Sequence, residues 1–475
     1  MNTEAAGQAY HRLTAYRHDR HWIIPADDER VLSNFLPLDD SRYPDEFKTY
    51  PDGLPRTALP ADLSRPATGR SIDLVGLSRL LYLSTGVVRY RERDGGRPTH
   101  FRAAPSAGNR HPVELYVCAC GIDGLGDGVW HYGPRDHTLV RIAPAPECAG
   151  PAIVLTGVPW RTCWKYAERG YRHVWWDAGT VVAQLYALAA DHGHQVHVRL
   201  GFVDHEVARL VGADHEHELP LAVVNLAHQG PSPLATADAA VGDLGPTPVT
   251  FPLVAHTHGA GTFHTPADVE RWSEPWAASS SEPLPVSVED VILRRGSTRR
   301  FDQRAVPLDT LRATLRGFGR VPAWDAGAWP LTSHVVVHAV DGLSPGLYRW
   351  HDGPELVEDG DLRARARVLC GSEELAYDCA FLVLHSARVV DALARRGERG
   401  YRALQFAAGL ASGGLYLSAF AHGLGCTGLA VTDTTVPTLL RPPADGLLAA
   451  AVGIPAYRSR RGGSRPGSPT RLRTD

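Results

Sequence analysis

The sequence has little net charge and no long uninterrupted apolar segment. Its 475 residues carry 49 Lys and Arg against 52 Asp and Glu, a formal net charge of -3, which gives no overall attraction to nucleic acid or to an anionic membrane. The most apolar long segment, residues 403–421, is interrupted by polar residues and glycines. The first residues lack a basic region followed by an apolar core, so no secretory signal is expected. We therefore expect a cytoplasmic protein with no nucleic-acid or membrane partner.

Cysteine is also scarce, and its placement favours neither disulfides nor a metal site. The seven cysteines are odd in number and scattered, which suits a reducing compartment better than a disulfide framework. Cys118 and Cys120 stand two apart, but no second pair follows at metal-ligand spacing. His192, His194 and His197 are close together, and they are typical of a helix end followed by a strand. We therefore predict no metal site.

The sequence does contain a long internal repeat. Glu168-Arg169-Gly170-Tyr171-Arg172 recurs 230 residues later as Glu398-Arg399-Gly400-Tyr401-Arg402. With no gap, Ala178-Gly179 then matches Ala408-Gly409. Upstream, Gly128-Val129-Trp130 echoes Gly346-Leu347-Tyr348 at a spacing of 218, so about a dozen extra residues separate the paired blocks in the second half. A repeat this long indicates two copies of one domain.

Composition divides the chain into five parts. Proline-punctuated and Pro/Ala/Gly-rich stretches are typical of arms and linkers, and a run of arginines among Gly, Ser and Pro is typical of a disordered tail. The predicted parts are an N-terminal arm at 1–60, the first copy at 61–228, a linker at 229–284, the second copy at 285–457, and a basic disordered tail at 458–475.

Two stretches of the first copy carry groups suited to a functional site. Residues 105–109, Pro-Ser-Ala-Gly-Asn, form a turn-rich loop before an apolar strand. Such a loop could hold a flat heterocycle by close backbone approach, or it could be an ordinary turn. Lys165-Tyr166 precedes the first repeat block, and a lysine beside a tyrosine can lower the phenol pKa and create a general base. The alternative is a pair of surface residues.

The second copy carries a different feature. Arg295, Ser297 and Arg299 alternate, so in an extended segment all three side chains face one side and could hold a phosphate. Alignment of the following leucines puts Ala61, Leu63 and Arg65 at the corresponding positions of the first copy. Conversely, residues 326–330 replace the loop 105–109 in the second copy. Each copy therefore lacks the feature that the other has.

These motifs resemble those of a known family. In the first copy they are Phe47-Lys48-Thr49-Tyr50-Pro51, the segment 104–109, Gly128-Val129-Trp130-His131-Tyr132, and Lys165-Tyr166 with Arg169-Gly170-Tyr171-Arg172; in the second they are Arg295, Ser297, Arg299, Phe301, Gly425 and Gly453-Ile454-Pro455. With these motifs the chain resembles the nitroreductase-like flavoproteins, and its first copy looks like their azoline dehydrogenases of ribosomal peptide biosynthesis.

The resemblance implies an α+β fold. It implies two tandem nitroreductase-like domains, each with an antiparallel or mixed central sheet flanked by helices, paired within one chain as a pseudo-dimer. FMN would lie at the interface in a single composite site, and the reciprocal site would be lost. The residues implied in FMN binding are Arg295, Ser297, Arg299, Pro105, Ser106, Gly108, Asn109, Gly425 and Arg458.

The activity implied by the resemblance is the FMN-dependent oxidation of thiazolines or oxazolines in a modified precursor peptide to thiazoles or oxazoles. Lys165 and Tyr166 would be the catalytic pair, oxygen the electron acceptor and a cyclodehydratase the partner. Two other readings stay open at this point. One is an NAD(P)H-dependent flavin reductase of small molecules, and the other is a non-catalytic peptide-binding scaffold of a synthetase complex.

Overall fold

The computed structural model describes residues 4–17, 38–63, 72–93, 96–226, 229–274, 283–319, 321–351 and 353–472. Its helices are α1 (Ala6–Leu13), α2 (Leu74–Thr85), α3 (Pro159–Tyr166), α4 (Gly170–Asp191), α5 (Asp204–Val211), α6 (Pro252–Ala260), α7 (Pro266–Trp272), α8 (Val288–Arg294), α9 (Leu308–Leu315), α10 (Arg363–Leu369), α11 (Glu374–Asp378), α12 (Val389–Arg396), α13 (Arg399–Ala421) and α14 (Val436–Leu439).

Its strands are β1 (Arg56–Ala58), β2 (Val87–Arg93), β3 (Gly96–Arg102), β4 (Val113–Ala119), β5 (Gly128–Gly133), β6 (Thr138–Ala143), β7 (Ala152–Gly157), β8 (Val196–Arg199), β9 (Leu219–Leu226), β10 (Val306–Pro307), β11 (Ala323–Trp324), β12 (Thr332–Val337), β13 (Val340–Asp341), β14 (Gly346–Trp350), β15 (Pro354–Asp359), β16 (Phe381–Ala387), β17 (Gly425–Leu429), β18 (Asp445–Gly453) and β19 (Thr470–Leu472).

The two main sheets have the same strand order, which confirms the predicted α+β fold with two copies of one domain. The first sheet runs β1-β6-β5-β4-β7-β9-β8-β11, and the second runs β15-β14-β12-β16-β18-β17. The six strands that correspond are paired antiparallel throughout. The first sheet has two additions at its edges, β1 from the N-terminal arm and β11 from the second copy.

The long helices α4 and α13 hold the two copies together. They pack along each other because glycine allows their backbones to meet: a Cβ on Gly179 would lie 2.4 Å from the Leu410 nitrogen, and one on Gly409 would lie 2.2 Å from the Trp176 carbonyl. The largest buried core continues across this contact and contains residues of both copies. The repeated Ala-Gly pair is therefore the seam of an intrachain pseudo-dimer.

The repeated Glu-Arg-Gly-Tyr-Arg block forms two reciprocal ion-pair clusters. Arg169 and Arg172 of the first copy donate to the Asp433 carboxylate at 2.7 and 2.6 Å. Arg399 and Arg402 of the second copy donate to Asp204 at 2.5 and 2.8 Å. All of these side chains are buried. Burial alone would raise the pKa of Asp433, but the two guanidiniums hold it below its usual range.

The glutamates of the two blocks each hold the start of a helix. Glu168 accepts hydrogen bonds from the backbone of Leu253 and Val254 in α6, and Glu398 accepts them from Ala6 and Gly7 in α1. A carboxylate at a helix N-terminus meets unpaired N–H groups and the positive end of the helix dipole. Helices α1 and α6 are therefore equivalent parts of the two copies.

This equivalence changes the reading of the predicted linker. Residues 252–272 form two helices, and α6 makes the contacts with the second copy's arginines that α1 makes with those of the first. Helix α6 was not predicted because its sequence is rich in Ala, Gly and Thr and has no helical apolar periodicity. The helix is stabilised by its contacts with Glu168 and Arg402 and not by an apolar stripe. The predicted linker thus contains the counterpart of helix α1 of the N-terminal arm.

The basic tail is ordered over residues 458–472, contrary to the predicted disorder. Its strand β19 pairs in parallel with β2, and the Tyr82 hydroxyl donates to the Gly463 carbonyl at 2.6 Å. The side chain of Arg89 donates to the carbonyls of Leu293 and Arg460. Backbone pairing fixes the tail here, and composition carries no signal for it. Arg473 lies outside the described residues.

The cysteines also depart in part from expectation. Cys120 and Cys148 form a disulfide, whereas Cys118, Cys163, Cys370, Cys379 and Cys426 are free and buried. The disulfide joins the end of β4 to the loop after β6. These two places are 28 residues apart in the sequence, and the sheet brings them together. Among the described helices, α13 alone has the length and apolar character needed to cross a membrane, and it is almost wholly buried inside the protein.

Candidate functional site

A cavity of about 840 Å³ lies between the two copies. Both copies contribute to its wall. The volume of the cavity and its mixture of polar and apolar lining residues are typical of a ligand site. The first copy supplies Tyr16, Arg17, Pro105, Ser106, Ala107, Gly108, Lys165, Tyr166, His173, Trp176, Asp177 and Thr180; the second supplies Ser297, Arg299, Val368, Cys370, Gly371, Ser372, Glu373, Leu375, Ser412, Tyr416, Leu448 and residues 427–432.

The loop at residues 105–109 is held in place by α4. The Ser106 hydroxyl and the Ala107 N–H both donate to the Asp177 carboxylate, and the Thr180 hydroxyl donates to the Pro105 carbonyl at 3.1 Å. Burial raises the pKa of Asp177 to about 7, although the two hydrogen bonds act in the opposite direction. The loop is therefore a fixed wall of the cavity and not a free surface turn.

The same loop brings the two predicted stretches of the first copy into contact. Gly108 has a left-handed backbone, with φ of 58°, and a Cβ there would lie 2.7 Å from the Tyr166 hydroxyl. It would also lie 3.3 Å from the Lys165 Nζ. Glycine is needed at 108 for both reasons. Lys165 and Tyr166 end helix α3, so the helical turn, not an extended strand, places both beside the loop.

The environment of Lys165 and Tyr166 acts against the predicted lowering of the phenol pKa. Burial, and then the nearby charges of Tyr16 and Asp177, raise the pKa of Tyr166 above its ordinary value. Burial lowers the pKa of Lys165, and Arg110 and Arg299 lower it further. The lysine therefore does not create a phenolate. Of the two, Lys165 is the better candidate for proton acceptor, because its pKa is shifted towards the neutral amine.

Aromatic side chains form flat walls in the cavity. The His173 ring stacks on Tyr166 with centroids 4.2 Å apart and planes within 8°. Trp176 packs against His173 at 4.6 Å, and Tyr416 approaches from the second copy. Together these rings suit a planar ligand.

Two members of the predicted phosphate clasp line the cavity. Ser297 lies 3.3 Å from the Tyr416 hydroxyl, and Arg299 is exposed, with no ion pair within the described residues. Arg295, by contrast, is buried, and its guanidinium donates to the Ala103 carbonyl of the first copy. The prediction that Arg295 faces the same side as Ser297 and Arg299 is wrong. Arg295 caps the C-terminal end of α8, so its side chain points in a different direction from those of the extended residues that follow.

Three other predicted residues do not line the cavity. Asn109 uses its side chain to bond the His100 carbonyl and the His111 ring. Gly425 lies in β17 against Thr298, where a Cβ would meet the Thr298 hydroxyl at 2.3 Å. Arg458 is exposed in the tail. Asn109 therefore supports the loop, and Gly425 supports the 295–299 segment, on the side away from the cavity. The roles of Asn109, Gly425 and Arg458 in cofactor binding stay predictions.

At the position that corresponds to the cavity by the pseudo-twofold, the described residues make direct contacts with one another. Strand β11 pairs with β8, whereas among the described strands none from the stretch just before Pro105 pairs with β17. Arg396, the counterpart of Tyr166, forms an ion pair with Glu274 and stacks on Trp272 at 4.4 Å. Leu63 is buried, and Arg65 lies outside the described residues.

Several cavity residues were not predicted from the sequence, although the repeat could have identified some. His173 and Asp177 correspond to Ala403 and Ala407 in the ungapped alignment, so polar residues stand on α4 where α13 has alanine. The cavity residues between 368 and 375 fall in the extra segment of the second copy. No group of His, Cys, Asp and Glu that could hold a metal ion occurs among the described residues.

Comparisons with known proteins agree with the repeat. The model of the "Nitroreductase family" matches residues 83–228 and again residues 292–458, together well over half of the chain. The chain is 28% identical over 155 residues to MJ1384 of Methanocaldococcus jannaschii, a protein whose name assigns it to the nitroreductases; the match covers 30% of this chain and 74% of that protein.

Solved structures extend the likeness to the whole chain. A nitroreductase-type protein from Anabaena variabilis superimposes with a TM-score of 0.73 at 24% identity, over 95% of this chain and 100% of that one. This likeness establishes the fold of both copies together. The E. coli microcin synthetase McbBCD complex with truncated pro-MccB17 also matches, at 19% identity and a TM-score of 0.28, over 38% of this chain and 76% of that one.

Proposed function

Because this chain belongs to the nitroreductase family, whose domain it contains twice, we propose that it is an FMN-dependent oxidoreductase that oxidises thiazoline or oxazoline rings within a peptide to thiazole or oxazole. Members of the family bind flavin. The observation that carries the proposal is the contact of the loop 105–108 with Lys165 and Tyr166 inside one composite cavity. Those motifs are the ones that resemble azoline dehydrogenases.

The residues of the cavity fit FMN. Ser297 and Arg299, whose guanidinium forms no ion pair with a described residue, offer phosphate donors at one part of the wall. Trp176, Tyr166 and Tyr416 offer flat contacts for a ring system, and the volume is large enough for a cofactor with a second ligand. When bound, FMN would accept a hydride and so take two electrons from the substrate; oxygen would receive them afterwards.

The chain's own residues would handle the proton. Conversion of an azoline to an azole removes two hydrogens from adjacent ring carbons, one as a proton and one as a hydride. The lowered pKa of Lys165 favours the neutral amine, which would take the proton at Nζ. Tyr166, whose phenol stays protonated, can donate a hydrogen bond from its hydroxyl and orient the ring. Asp177 keeps Ser106 and Ala107 in position beside them.

The test is a measurement of flavin content followed by turnover. We expect one FMN per chain after denaturation and chromatography, because at the position that corresponds by the pseudo-twofold β11 pairs with β8 and Arg396 pairs with Glu274. The purified protein should then convert an azoline peptide to its azole, seen by mass spectrometry as the loss of two hydrogens. A modified precursor peptide, delivered by a cyclodehydratase, is the substrate we propose. Two flavins per chain, or intact azolines beside a reoxidisable flavin, would contradict the proposal.

A second candidate is an NAD(P)H-dependent flavin reductase of small molecules. The observation that favours it is the match to MJ1384, which covers most of that protein's length. This function would be supported if NADH bleached the bound flavin while azoline peptides stayed unchanged.

A further inference from the structure

The second copy contains a segment that the first copy lacks, and this segment forms one wall of the cavity. Residues 360–380 connect β15 to β16, whereas residues 144–151 make the equivalent connection between β6 and β7. The longer connection contains α10 and α11, and it accounts for the extra residues in the repeat. It supplies the cavity residues Val368, Cys370, Gly371, Ser372, Glu373 and Leu375.

The segment is a built part of the domain and not a loose loop. Its Leu369, Cys370 and Leu375 are buried in the core of the second copy. The backbone N–H of Thr432 donates to the Leu369 carbonyl at 2.7 Å, and the Thr432 hydroxyl donates to the Val368 carbonyl at 3.2 Å. These bonds tie the segment to the residues that follow β17, which also line the cavity.

A tight turn at the end of α10 places one carboxylate on the cavity wall. Gly371 and Ser372 both have positive φ, 67° and 66°, and the Ser372 N–H donates to the Arg367 carbonyl at 2.9 Å. The next residue, Glu373, is exposed and lines the cavity. Its carboxylate has no hydrogen bond or ion pair within the described ranges of the chain.

The charge on this wall is opposite to that on the rest of the cavity. Arg17 and Arg299 line the cavity as cations, and the other acidic residue of its wall, Asp177, is buried and already accepts two hydrogen bonds. Glu373 therefore offers an unused negative charge to a bound molecule, with Val368 and Leu375 as apolar neighbours on the same segment. This arrangement suits the stem and head of a cationic side chain.

We infer that the 360–380 segment is the substrate-recognition wall, and that Glu373 selects peptides carrying a lysine, an arginine or a free ammonium next to the ring that is oxidised. This inference rests on the proposed function, since it deepens the substrate class of the same cavity. A partly solvated ion pair contributes modestly to affinity. Glu373 is thus a specificity residue and takes no part in the chemistry.

The experiment uses the flavin-loaded full chain and two azole peptides that differ at one position. One peptide carries Lys beside the ring and the other Glu, and the affinities are read by titration of the flavin fluorescence. We expect the wild-type protein to bind the Lys peptide roughly two- to fivefold more tightly than the Glu peptide. Glu373→Gln should remove this preference and Glu373→Lys should reverse it.

Glu374→Gln is the matched control. Glu374 is the adjacent carboxylate, but it pairs with Arg367 at 3.2 Å and does not line the cavity, so its variant should keep the wild-type preference. An equal affinity of the wild-type protein for both peptides, no binding of either, or a preference that survives Glu373→Gln would overturn the inference.

The two proposals fail separately. If azoline peptides are oxidised but the affinities do not depend on the neighbouring charge, the role of Glu373 is wrong and the dehydrogenase function stands. If the charge preference appears as expected and no azoline is oxidised, the recognition wall stands and the proposed reaction is wrong.

Discussion

Lys165 is one of only two lysines in the chain, which makes its titration directly measurable. Lys48, the other, is buried in an ion pair with Glu218 at 2.5 Å that raises its pKa despite burial. After reductive methylation with a ¹³C label, we expect the methyl signal of Lys165 to titrate below pH 10.5, the ordinary value for lysine. A signal that titrates at or above that value would contradict the lowered pKa of Lys165.

The same lowered pKa predicts the pH dependence of turnover. Because only the neutral amine accepts a proton, activity on an azoline peptide should rise with pH until Lys165 is deprotonated. Lys165→Ala should lower kcat by roughly 10²- to 10⁴-fold and abolish that rise. Tyr166→Phe should lower kcat less and keep the pH profile, because the phenol stays protonated throughout. A flat profile in the wild-type protein would contradict the role of Lys165.

Asp177, which holds the cavity loop, should also make the free energy of unfolding depend on pH. Its pKa is raised by burial to about 7 in the folded state from an ordinary value of 3.8, so the folded protein binds its proton more tightly than the unfolded chain does. The stability from this group is complete below about pH 4 and is lost as the pH rises towards 7. Asp177→Asn should remove this contribution, so its free energy of unfolding should depend less on pH than that of the wild-type protein.

Urea unfolding between pH 4 and 8 measures this difference. The control is Asp191→Asn, an exposed residue at the end of the same helix, whose curve should follow that of the wild type. Asp177→Asn should also weaken FMN retention about tenfold, because an amide cannot accept from both Ser106 and Ala107 as the carboxylate does. A wild-type pH slope in Asp177→Asn would show that Asp177 does not titrate as described.

At the scale of elements, the packing of α4 against α13 should be disrupted by the addition of a single methyl group. Gly409→Ala would place a methyl group 2.2 Å from the Trp176 carbonyl, and backbone cannot yield as a side chain can. We expect a loss of roughly 1–3 kcal/mol in the free energy of unfolding. Thermal and urea denaturation of the purified variant would measure it.

Gly259→Ala is the control for this substitution. Gly259 lies in α6 with no atom within 4 Å of a built Cβ. Because alanine has the higher helix propensity, the change should be neutral or stabilising by up to about 1 kcal/mol. An equal effect of the two substitutions would mean that α4 and α13 do not meet at Gly409.

The sequence predicted these elements unevenly, for physical reasons. Fixed-register repeats such as residues 168–172 and 398–402 identified the two copies, because their contacts require those residue types in both. Helix α6 and the tail were misread since their order comes from partners distant in sequence, such as Glu168 and β2. Arg295 was assigned to the phosphate clasp because alternation assumes an extended chain, and a helix ends at that position.

On the scale of the whole molecule, the two copies are interwoven and not merely joined. Strand β11 of the second copy extends the first sheet, and α1 at the N-terminus begins on Glu398 of the second copy. The C-terminal strand β19 pairs with β2. Each copy thus supplies backbone partners and buried charges that the other requires, as in an obligate dimer.

This interweaving predicts the behaviour of a divided chain. A cut between Pro246 and Thr247, which are both exposed, separates the copies ahead of α6. We expect each fragment alone to be insoluble or to lack flavin, because Asp433 or Asp204 would be left without the arginines that neutralise it, and half of the cavity wall would be missing. Coexpressed fragments should associate one to one, since a new chain end in an exposed segment removes none of these contacts.

The coexpressed pair should bind one FMN per heterodimer and show the charge preference of the intact protein, measured by size-exclusion chromatography with flavin analysis. Replacing Asp433 with Ala in the second fragment should weaken the association, because Arg169 and Arg172 would then be buried without a counter-ion. A first fragment that folds and binds flavin by itself would show that the copies are independent domains and that the site is not composite.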